Sequence, residues 1–323
     1  MDRRVFLLGA TAFAFSGHSA IAQTRPAKIC MLSARSLAES FFAAGVVRRL
    51  EELGYRAGSS MTLEFRSAEG VVSQFPILAR ELGGLKCDLK FAVGPEHAAK
   101  HLREAAPGTP LVFLAVDYDP VETGLVTNLA RPSSNTTGVY IPQAALATKR
   151  LEIMTEIVPR ARRFLVFVDP FSKTQLPAVR TAAATAGVQL IVTEFSKAPY
   201  DFEAAFAEGA KAKVDAYIEL ASPVLASNAR HLAALLQKYG LPGAAASGGY
   251  VQAGVLVSYG PEAGKVARRA ADIGARILRG AKAGEIPVEQ ADEFELVINA
   301  KTAGALGVKI PERVLARATK IVD

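Results

Sequence analysis

Short apolar runs alternate with longer amphipathic segments along the chain from residue 28 onward. The short runs have the length and apolar character of strands that are buried on both faces. The longer segments repeat their apolar residues at helical spacing, as helices that cover a sheet do. Alternation of this kind is typical of parallel sheets covered by helices. The sequence therefore predicts an α/β fold.

The first series of elements extends from residue 28 to about residue 116. It opens with a strand and a helix that carries Val46 and Leu50 on its apolar side and ends at Gly54, a residue suited to the position after a helix. The predicted strands are 28–33, 62–66, 88–93 and 111–116, and the further predicted helices are 72–82 and 97–105. This series predicts a first sheet.

A turn-rich loop with Pro120 and Pro132 ends near Gly138, where the alternation starts again. The predicted strands are then 164–168, 188–192 and 216–219, and the predicted helices are 175–186, 202–211 and 227–239. The Gly- and Ala-rich segment 243–249 is too small and flexible for an ordinary core strand, so we interpret it as a crossover back to the first half. Two such halves leave a cleft at the carboxyl ends of their strands, where ligands of open α/β sheets bind.

The N-terminus has the features of a secretory signal peptide over residues 1–22. Arg3 and Arg4 precede an apolar stretch, and Ala20-Ile21-Ala22 forms a small-x-small cleavage site. We expect cleavage after Ala22 and export by the Sec or the twin-arginine route, both of which the sequence allows. No Cys directly follows the apolar stretch, so no lipid anchor is expected. After residue 22 no apolar run approaches the length of a membrane span, and the mature protein should be soluble.

Charge and motifs exclude several classes of function. The chain has 38 basic and 31 acidic residues, and the basic residues are spread rather than gathered on one face with aromatic residues, which argues against nucleic-acid binding. There is no nucleophile elbow, no phosphate-binding loop and no zincin pattern. We therefore predict no catalytic residues, no cofactor and a protein that is not an enzyme.

The chain contains two cysteines, Cys30 and Cys87. In an oxidising compartment they can pair, and they can equally be two buried apolar residues. No Cys or His pair has the spacing of metal ligands, so no metal site is expected.

Motifs spread over the chain carry a resemblance to a known family. They are Asp119-Pro120-Val121 with Gly124-Leu125-Val126, Arg131 to Gly138, Lys149-Arg150-Leu151-Glu152, Ser258-Tyr259-Gly260-Pro261, and Phe294 to Asn299 with Lys301-Thr302. In order and spacing the sequence resembles the ABC substrate-binding family that includes tryptophan- and tyrosine-binding receptors.

The resemblance implies a type I periplasmic-binding architecture, with two Rossmann-like lobes joined by three crossovers near Gly138, Ser247 and Gly284. The first lobe would comprise residues 23–138 and 248–284, and the second residues 139–247 and 285–323. The implied function is capture of a small organic molecule, amino-acid-like or aromatic, by closure of the lobes in the periplasm. The implied partner is an ABC permease in the inner membrane, and a monomer is expected. A ligand-binding module that signals to a membrane sensor would use the same cleft.

By similarity, ligand contacts come from loops that follow strands. The candidates are Ser33, Arg35, Ser36, Gly94, Pro95, Glu96, His97, Asp117 and Tyr118 in the first lobe, and Asp169, Phe171, Ser172, Ala221, Ser222, Ser247 and Tyr250 towards the second. Ser36 can cap a helix or bind an anion, and Asp117 can pair with a ligand ammonium group. Tyr118 can form an aromatic wall. Phe171 can line the cleft or pack against a helix.

One segment departs from the family's pattern. Relatives often carry a Tyr and then a bulky run with Arg or Glu and Phe, whereas residues 245–250 here are Ala, Ala, Ser, Gly, Gly and Tyr. Loss of the bulky and charged side chains enlarges that corner and removes a possible ion-pair partner. We therefore expect a ligand that is larger or less charged than an aromatic amino acid.

Overall fold

The computed structural model describes residues 25–116, 118–132 and 135–323. The predicted signal peptide, its cleavage site after Ala22 and Asp117 lie outside the described residues. Within the described part of the chain, no helix is long and apolar enough to cross a membrane.

The described strands and helices alternate along most of the chain, as predicted. The strands are β1 (Ala27–Ser33), β2 (Met61–Ser67), β3 (Leu89–Gly94), β4 (Leu111–Ala115), β5 (Thr136–Tyr140), β6 (Arg163–Val168), β7 (Gln189–Glu194), β8 (Ala216–Glu219), β9 (Gly243–Ala245), β10 (Val257–Pro261), β11 (Glu289–Gln290), β12 (Phe294–Asn299) and β13 (Lys320–Val322). The helices are α1 (Phe41–Glu52), α2 (Phe75–Gly83), α3 (Glu96–Ala105), α4 (Gln143–Ile157), α5 (Leu176–Ala186), α6 (Phe202–Lys211), α7 (Pro223–Ser227), α8 (Ala229–Lys238), α9 (Gly248–Gln252), α10 (Ala263–Leu278), α11 (Ala300–Ala305) and α12 (Glu312–Leu315).

The strands form two sheets. The first has the order β11-β5-β4-β3-β1-β2 and the second the order β13-β12-β10-β9-β8-β6-β7. Pairing is parallel except between β10 and β12. In the first half α1 and α10 cover one face, since Val46 and Leu50 of α1 share a buried cluster with Val266 and Ala270 of α10.

The predicted crossover near Ser247 is wrong. β9 lies within the second sheet, between β8 and β10, and its residues are buried. Space beside the strand is limited, since a Cβ on Gly243 would lie 2.8 Å from Cδ1 of the buried Leu236 in α8. The segment is therefore tightly packed rather than flexible, and the chain leaves the second sheet only after Pro261.

The other crossovers are also displaced from the predicted positions. The chain stays in the first sheet as far as Tyr140, because β5, which includes Gly138, pairs with β4. After α10 the chain passes Gly284 and adds β11 to the first sheet, where Glu289 is paired with Val139. The last crossover therefore lies between β11 and β12. Very short strands such as β11 escape sequence patterns because they contain no apolar run.

Cys30 and Cys87 form a disulfide, with their Cα atoms 5.9 Å apart. Cys30 lies in β1 and Cys87 just precedes β3, which pairs with β1. Adjacent strands bring the two side chains to the same place, so the structure decides between the two alternatives that the sequence allowed.

Gly138 of β5 generates a test of this packing. A Cβ at this position would lie 2.1 Å from the carbonyl oxygen of Phe113 in the neighbouring strand, and a backbone oxygen cannot move away at small cost. We expect Gly138→Ala to lower the free energy of unfolding by more than about 3 kcal/mol. Gly304→Ala is the control, because nothing lies within 4 Å of a Cβ there. In helix α11 it should be neutral or stabilising by up to about 1 kcal/mol.

Denaturant midpoints measured at unchanged slope separate the two variants. Equal stability of Gly138→Ala and Gly304→Ala would contradict the close strand contact.

Candidate functional site

A cavity lies between the two sheets at the carboxyl ends of their strands. Ser33 and Gly94 reach it from the ends of β1 and β3, and Glu219 and Pro261 reach it from the ends of β8 and β10. Its empty volume is about 830 Å³, part of which is open to solvent. Because both sheets supply its lining, an occupant would contact both halves of the molecule at once.

Some of the predicted ligand residues meet at this cavity and others do not. Those in its lining are Ser33, Arg35, Gly94, Ala221, Ser222, Ser247 and Tyr250. Those outside the lining are Ser36, Pro95, Glu96, His97, Tyr118, Asp169, Phe171 and Ser172. The other lining residues are Ala34, Ser40, Phe41, Phe42, Val93, Val116, Gln143, Glu219, Pro223, Ala226, Ala246, Pro261 and Ala263.

Ser36 does not cap the first helix. The helix begins at Phe41, and Ser40 is its N-cap, with Oγ accepting a hydrogen bond from the backbone N–H of Ala43 at 3.2 Å. Ser36 lies in the preceding turn, where its carbonyl oxygen accepts from the N–H of Ser40 at 3.0 Å. The extra turn places Ser40 and Phe41, rather than Ser36, against the cavity.

The carboxylate of Asp169 holds the loop that follows β6. Oδ1 accepts hydrogen bonds from the N–H groups of Phe171 and Ser172, both at 3.0 Å, and from the Ser172 hydroxyl at 2.9 Å. Oδ2 accepts from the hydroxyls of Tyr200, at 3.2 Å, and Ser222. Both oxygens of the buried carboxylate therefore accept hydrogen bonds within the protein. Asp169 does not line the cavity, but it fixes the position of Ser222, which does.

Phe171 joins the two halves of the molecule. It follows β6 of the second sheet, yet it is 2% exposed and packs in a cluster of first-sheet residues that includes Tyr118 and Phe75. The ring of His97, in the first turn of α3, lies edge-on to Phe171 with 6.4 Å between the ring centres. Burial lowers the pKa of His97. Pro95 and Glu96 begin the same helix, Pro95 as its N-cap.

Glu219 ends β8 with a carboxylate buried in the cavity wall. Oε2 accepts a hydrogen bond from the N–H of Ala246 at 2.6 Å, and Oε1 accepts from the Tyr250 hydroxyl. Burial raises the pKa of Glu219 to about 7, opposed by the Tyr250 hydrogen bond and by the positive charge of Arg150. The sequence signal was an acidic residue at the end of an apolar strand, which is rare unless the charge is satisfied.

Arg150 lies fully buried behind this wall. Its Nε donates to the backbone carbonyl of Glu219 at 3.1 Å, and its Nη1 donates to that of Tyr259 at 3.0 Å. The side chain therefore ties α4 to β8 and β10. No sequence pattern distinguishes this arginine from a solvated one on an amphipathic helix.

The side-chain amide of Gln175 forms two hydrogen bonds with the backbone of Ala221. Its Nε2 donates to the carbonyl of Ala221 at 2.8 Å, and its Oε1 accepts from the N–H of Ala221 at 2.9 Å. The main chain of Ala221, a residue of the cavity lining, is thus positioned by this pair of hydrogen bonds.

The polar atoms that remain open at the cavity suit hydrogen bonding and charge pairing. Arg35 reaches across the cleft, where its Nε donates to Ser227 Oγ at 3.0 Å. Gln143 is buried, and its Oε1 has no partner among the described residues. Within the same part of the chain, no group of three or more His, Cys, Asp or Glu side chains is placed to hold a metal ion. The arrangement is suited to holding a small organic molecule.

Comparisons with known proteins agree with this geometry. The family model described as ABC transporter substrate binding protein matches residues 29–322. The tyrosine-binding protein of Clostridioides difficile (strain R20291) is 25% identical over 270 residues, which are 82% of this chain and 76% of that protein.

Solved structures show the same fold. A conserved domain protein from Vibrio cholerae O1 biovar El Tor has a TM-score of 0.82 and 27% identity, covering 92% of this chain and 100% of that one. An ABC domain from Streptococcus pneumonia, solved in complex with L-Trp, has a TM-score of 0.79 and 24% identity over the same shares. The predicted α/β fold of the type I periplasmic-binding class is confirmed.

Glu219 generates a prediction about pH. Since its pKa is higher in the folded than in the unfolded chain, the folded state binds more protons between about pH 4.5 and pH 7, and stability falls as pH rises through that window. The full effect is at most about 3 kcal/mol, at about 1.4 kcal/mol per pKa unit. Glu219→Gln should remove this dependence.

Unfolding free energies at pH 5 and pH 8 give the measurement. Glu208→Gln on the exposed side of α6 is the matched control and should keep the dependence of the unchanged protein. The same pH dependence in Glu219→Gln and the unchanged protein would show that the buried carboxylate is not its source.

Proposed function

Because this chain belongs to the family of ABC transporter substrate-binding proteins, we propose that it is the exported solute-binding component of an importer. It captures a small organic molecule in the periplasm and delivers it to a permease in the inner membrane. It acts as a monomer, does not bind nucleic acid and does not turn its ligand over. The observation that carries this proposal is the cavity lined from the strand ends of both sheets.

In this proposal each lobe is built around one of the two sheets. One contains the first sheet with α1 and α10, and the other contains the second sheet, so the segments after Tyr140, Pro261 and Gln290 are the hinges. The described conformation is closed in character. Arg35 is bonded to Ser227 across the cleft, and a Cβ on Gly70 of the first lobe would lie 2.8 Å from Val224 of the second.

Ligand binding and closure are coupled in this proposal. A molecule that touches both lobes binds the closed form better than the open form and shifts the equilibrium towards it. The permease then recognises the closed form. The predicted ligand residues divide accordingly, with the lining residues contacting the ligand and Asp169, Phe171 and His97 positioning the walls.

The ligand is a small molecule that resembles an amino acid or carries an aromatic ring. Phe41 and Phe42 at the start of α1, with Val93, Val116 and Pro223, supply apolar surface to the cavity. Names of relatives point to the same size range, since one is a tyrosine-binding protein and another was solved with L-Trp.

We expect saturation with the correct ligand to reduce the radius of gyration in small-angle scattering. A thermal-shift screen of amino acids, organic acids and other small metabolites identifies that ligand, because a molecule that binds only the native state raises the unfolding midpoint. Mass spectrometry of the recovered ligand should show it unchanged. A ligand that binds without compaction would reject closure, and a chemically altered ligand would reject a purely binding role.

Phe171→Ala tests the lobe contact. It removes apolar packing from the closed form without touching the cavity lining, so the apparent dissociation constant should rise about tenfold or more. Val192→Ala in edge strand β7, which packs only within the second lobe's cluster, is the control and should leave affinity unchanged. Equal affinities for the two variants, measured by titration calorimetry with the ligand from the screen, would show that Phe171 does not contribute to closure.

A further inference from the structure

We propose, on the premise of the binding function above, that the cavity selects an organic monoanion without an ammonium group. The carboxylate of this ligand lies against Arg35, and its apolar body fills the rest of the cavity. The charges of the described lining residues carry this inference.

Arg35 is a cation without an ion-pair partner among the described residues. The only hydrogen bond of its side chain there is from Nε to Ser227 Oγ, and no described carboxylate lies within 4.0 Å of its guanidinium group. Burial lowers the pKa of Arg35. Four acidic groups oppose this effect from a greater distance: Glu39 and Glu69, which are exposed, and Glu219 and Tyr250, which are buried in the cavity wall.

Arg35 also stands between two spaces. It lines the cavity between the sheets and a second cavity of about 1240 Å³ of empty volume, part of it open to solvent, whose lining includes Arg230 and Glu39. A guanidinium group at this boundary can hold a carboxylate with two parallel hydrogen bonds.

The two buried carboxylates in or behind the wall of the cavity are already hydrogen-bonded within the protein. Glu219 lines the cavity, but both of its oxygens accept internal hydrogen bonds, from Ala246 and Tyr250. Asp169 accepts from Phe171, Ser172, Tyr200 and Ser222, and it lies outside the lining.

The balance of charge favours a monoanion in either protonation state of Glu219. When Glu219 is ionised, its one negative charge acts on both Arg150 and Arg35, so one positive charge remains. When Glu219 is neutral, the charges of Arg150 and Arg35 both remain. A monoanion offsets one positive charge, whereas a zwitterionic amino acid adds no net charge and places its ammonium group in a cavity whose one described lining carboxylate is already hydrogen-bonded.

The other polar side chain of interest in the lining is neutral. Gln143 lines the cavity, and its Oε1 is buried without a partner among the described residues. An amide offers no negative charge to an ammonium group, which would lie in the cavity without a counter-ion. The favoured class is therefore a carboxylic acid with an apolar body and, at most, uncharged polar groups.

The test measures the affinities of matched sets of four probe molecules for the mature protein at pH 8 by titration calorimetry. Each quartet has an acid, its amide, the corresponding amino acid and the corresponding amine, for example 3-(4-hydroxyphenyl)propionate, its amide, L-tyrosine and tyramine. Quartets based on phenylalanine, tryptophan and leucine complete the set. We expect the tightest binder to be an acid, at least about tenfold tighter than its amide and its amino acid.

An amino acid, amine or amide as the tightest binder would overturn the inference, and so would failure of every acid to bind. The amino-acid arm also tests Asp117, which the sequence predicted as an ammonium partner. An amino acid that binds tightly and compacts the protein would be consistent with the proposed transport function but would contradict this inference. Absence of any ligand in the wider metabolite screen would instead remove the function itself.

Arg35→Gln gives the second measurement. The ratio of acid to amide affinity should fall by about tenfold or more, whereas Arg35→Lys should keep part of it because the charge stays. Loss of the Ser227 bond weakens closure around both probes alike, so the ratio isolates the charge. Arg48→Gln, on the exposed side of α1, is the matched control and should leave the ratio unchanged. An unchanged ratio in Arg35→Gln would overturn the role of this side chain.

Discussion

The buried carboxylate of Glu219 holds together the cavity wall that the second sheet supplies. It ends β8, accepts a hydrogen bond from Ala246 after β9, and accepts another from Tyr250 of α9. Arg150 of α4 binds the backbone of the same residue. A charge can stay this deep only because donors and a nearby cation compensate the loss of water. The position of four chain segments therefore depends on this one side chain.

The opposite half of the site depends on packing rather than on charge. Phe171 inserts into the cluster of first-sheet residues, and the Asp169 carboxylate fixes the loop that carries it by accepting the N–H groups of Phe171 and Ser172. Asp169 also holds the hydroxyl of Ser222 at the cavity wall. Hydrogen bonds inside one lobe thus set the geometry of an apolar contact between lobes, which is how closure and the shape of the cavity are linked.

Regular elements were predicted well because their signals are local. The helix over 202–211 and the strand over 216–219 have the predicted bounds, since periodicity and flanking polar residues identify them without reference to the rest of the chain. β9 was missed because Gly and Ala usually indicate flexibility, whereas here they reflect the close approach of α8. Ser36 was a candidate for the cap or for an anion contact, and the structure has Ser40 as the cap instead, because a further turn separates Ser36 from the start of the helix.

The sequence by itself determined the α/β class, the family and the general location of the site, because strand–helix alternation and ordered motifs are written along the chain. Only the tertiary structure decided which strand-end residues line the cavity, where the chain changes sheets and which charges remain open. Arg150 and Arg35 show the physical reason. Arg150 lies within α4 and is buried against backbone carbonyls, whereas Arg35 lies in the loop after β1 and faces a cavity without a described carboxylate partner. That difference is set by neighbours distant in sequence, so no local pattern contains it.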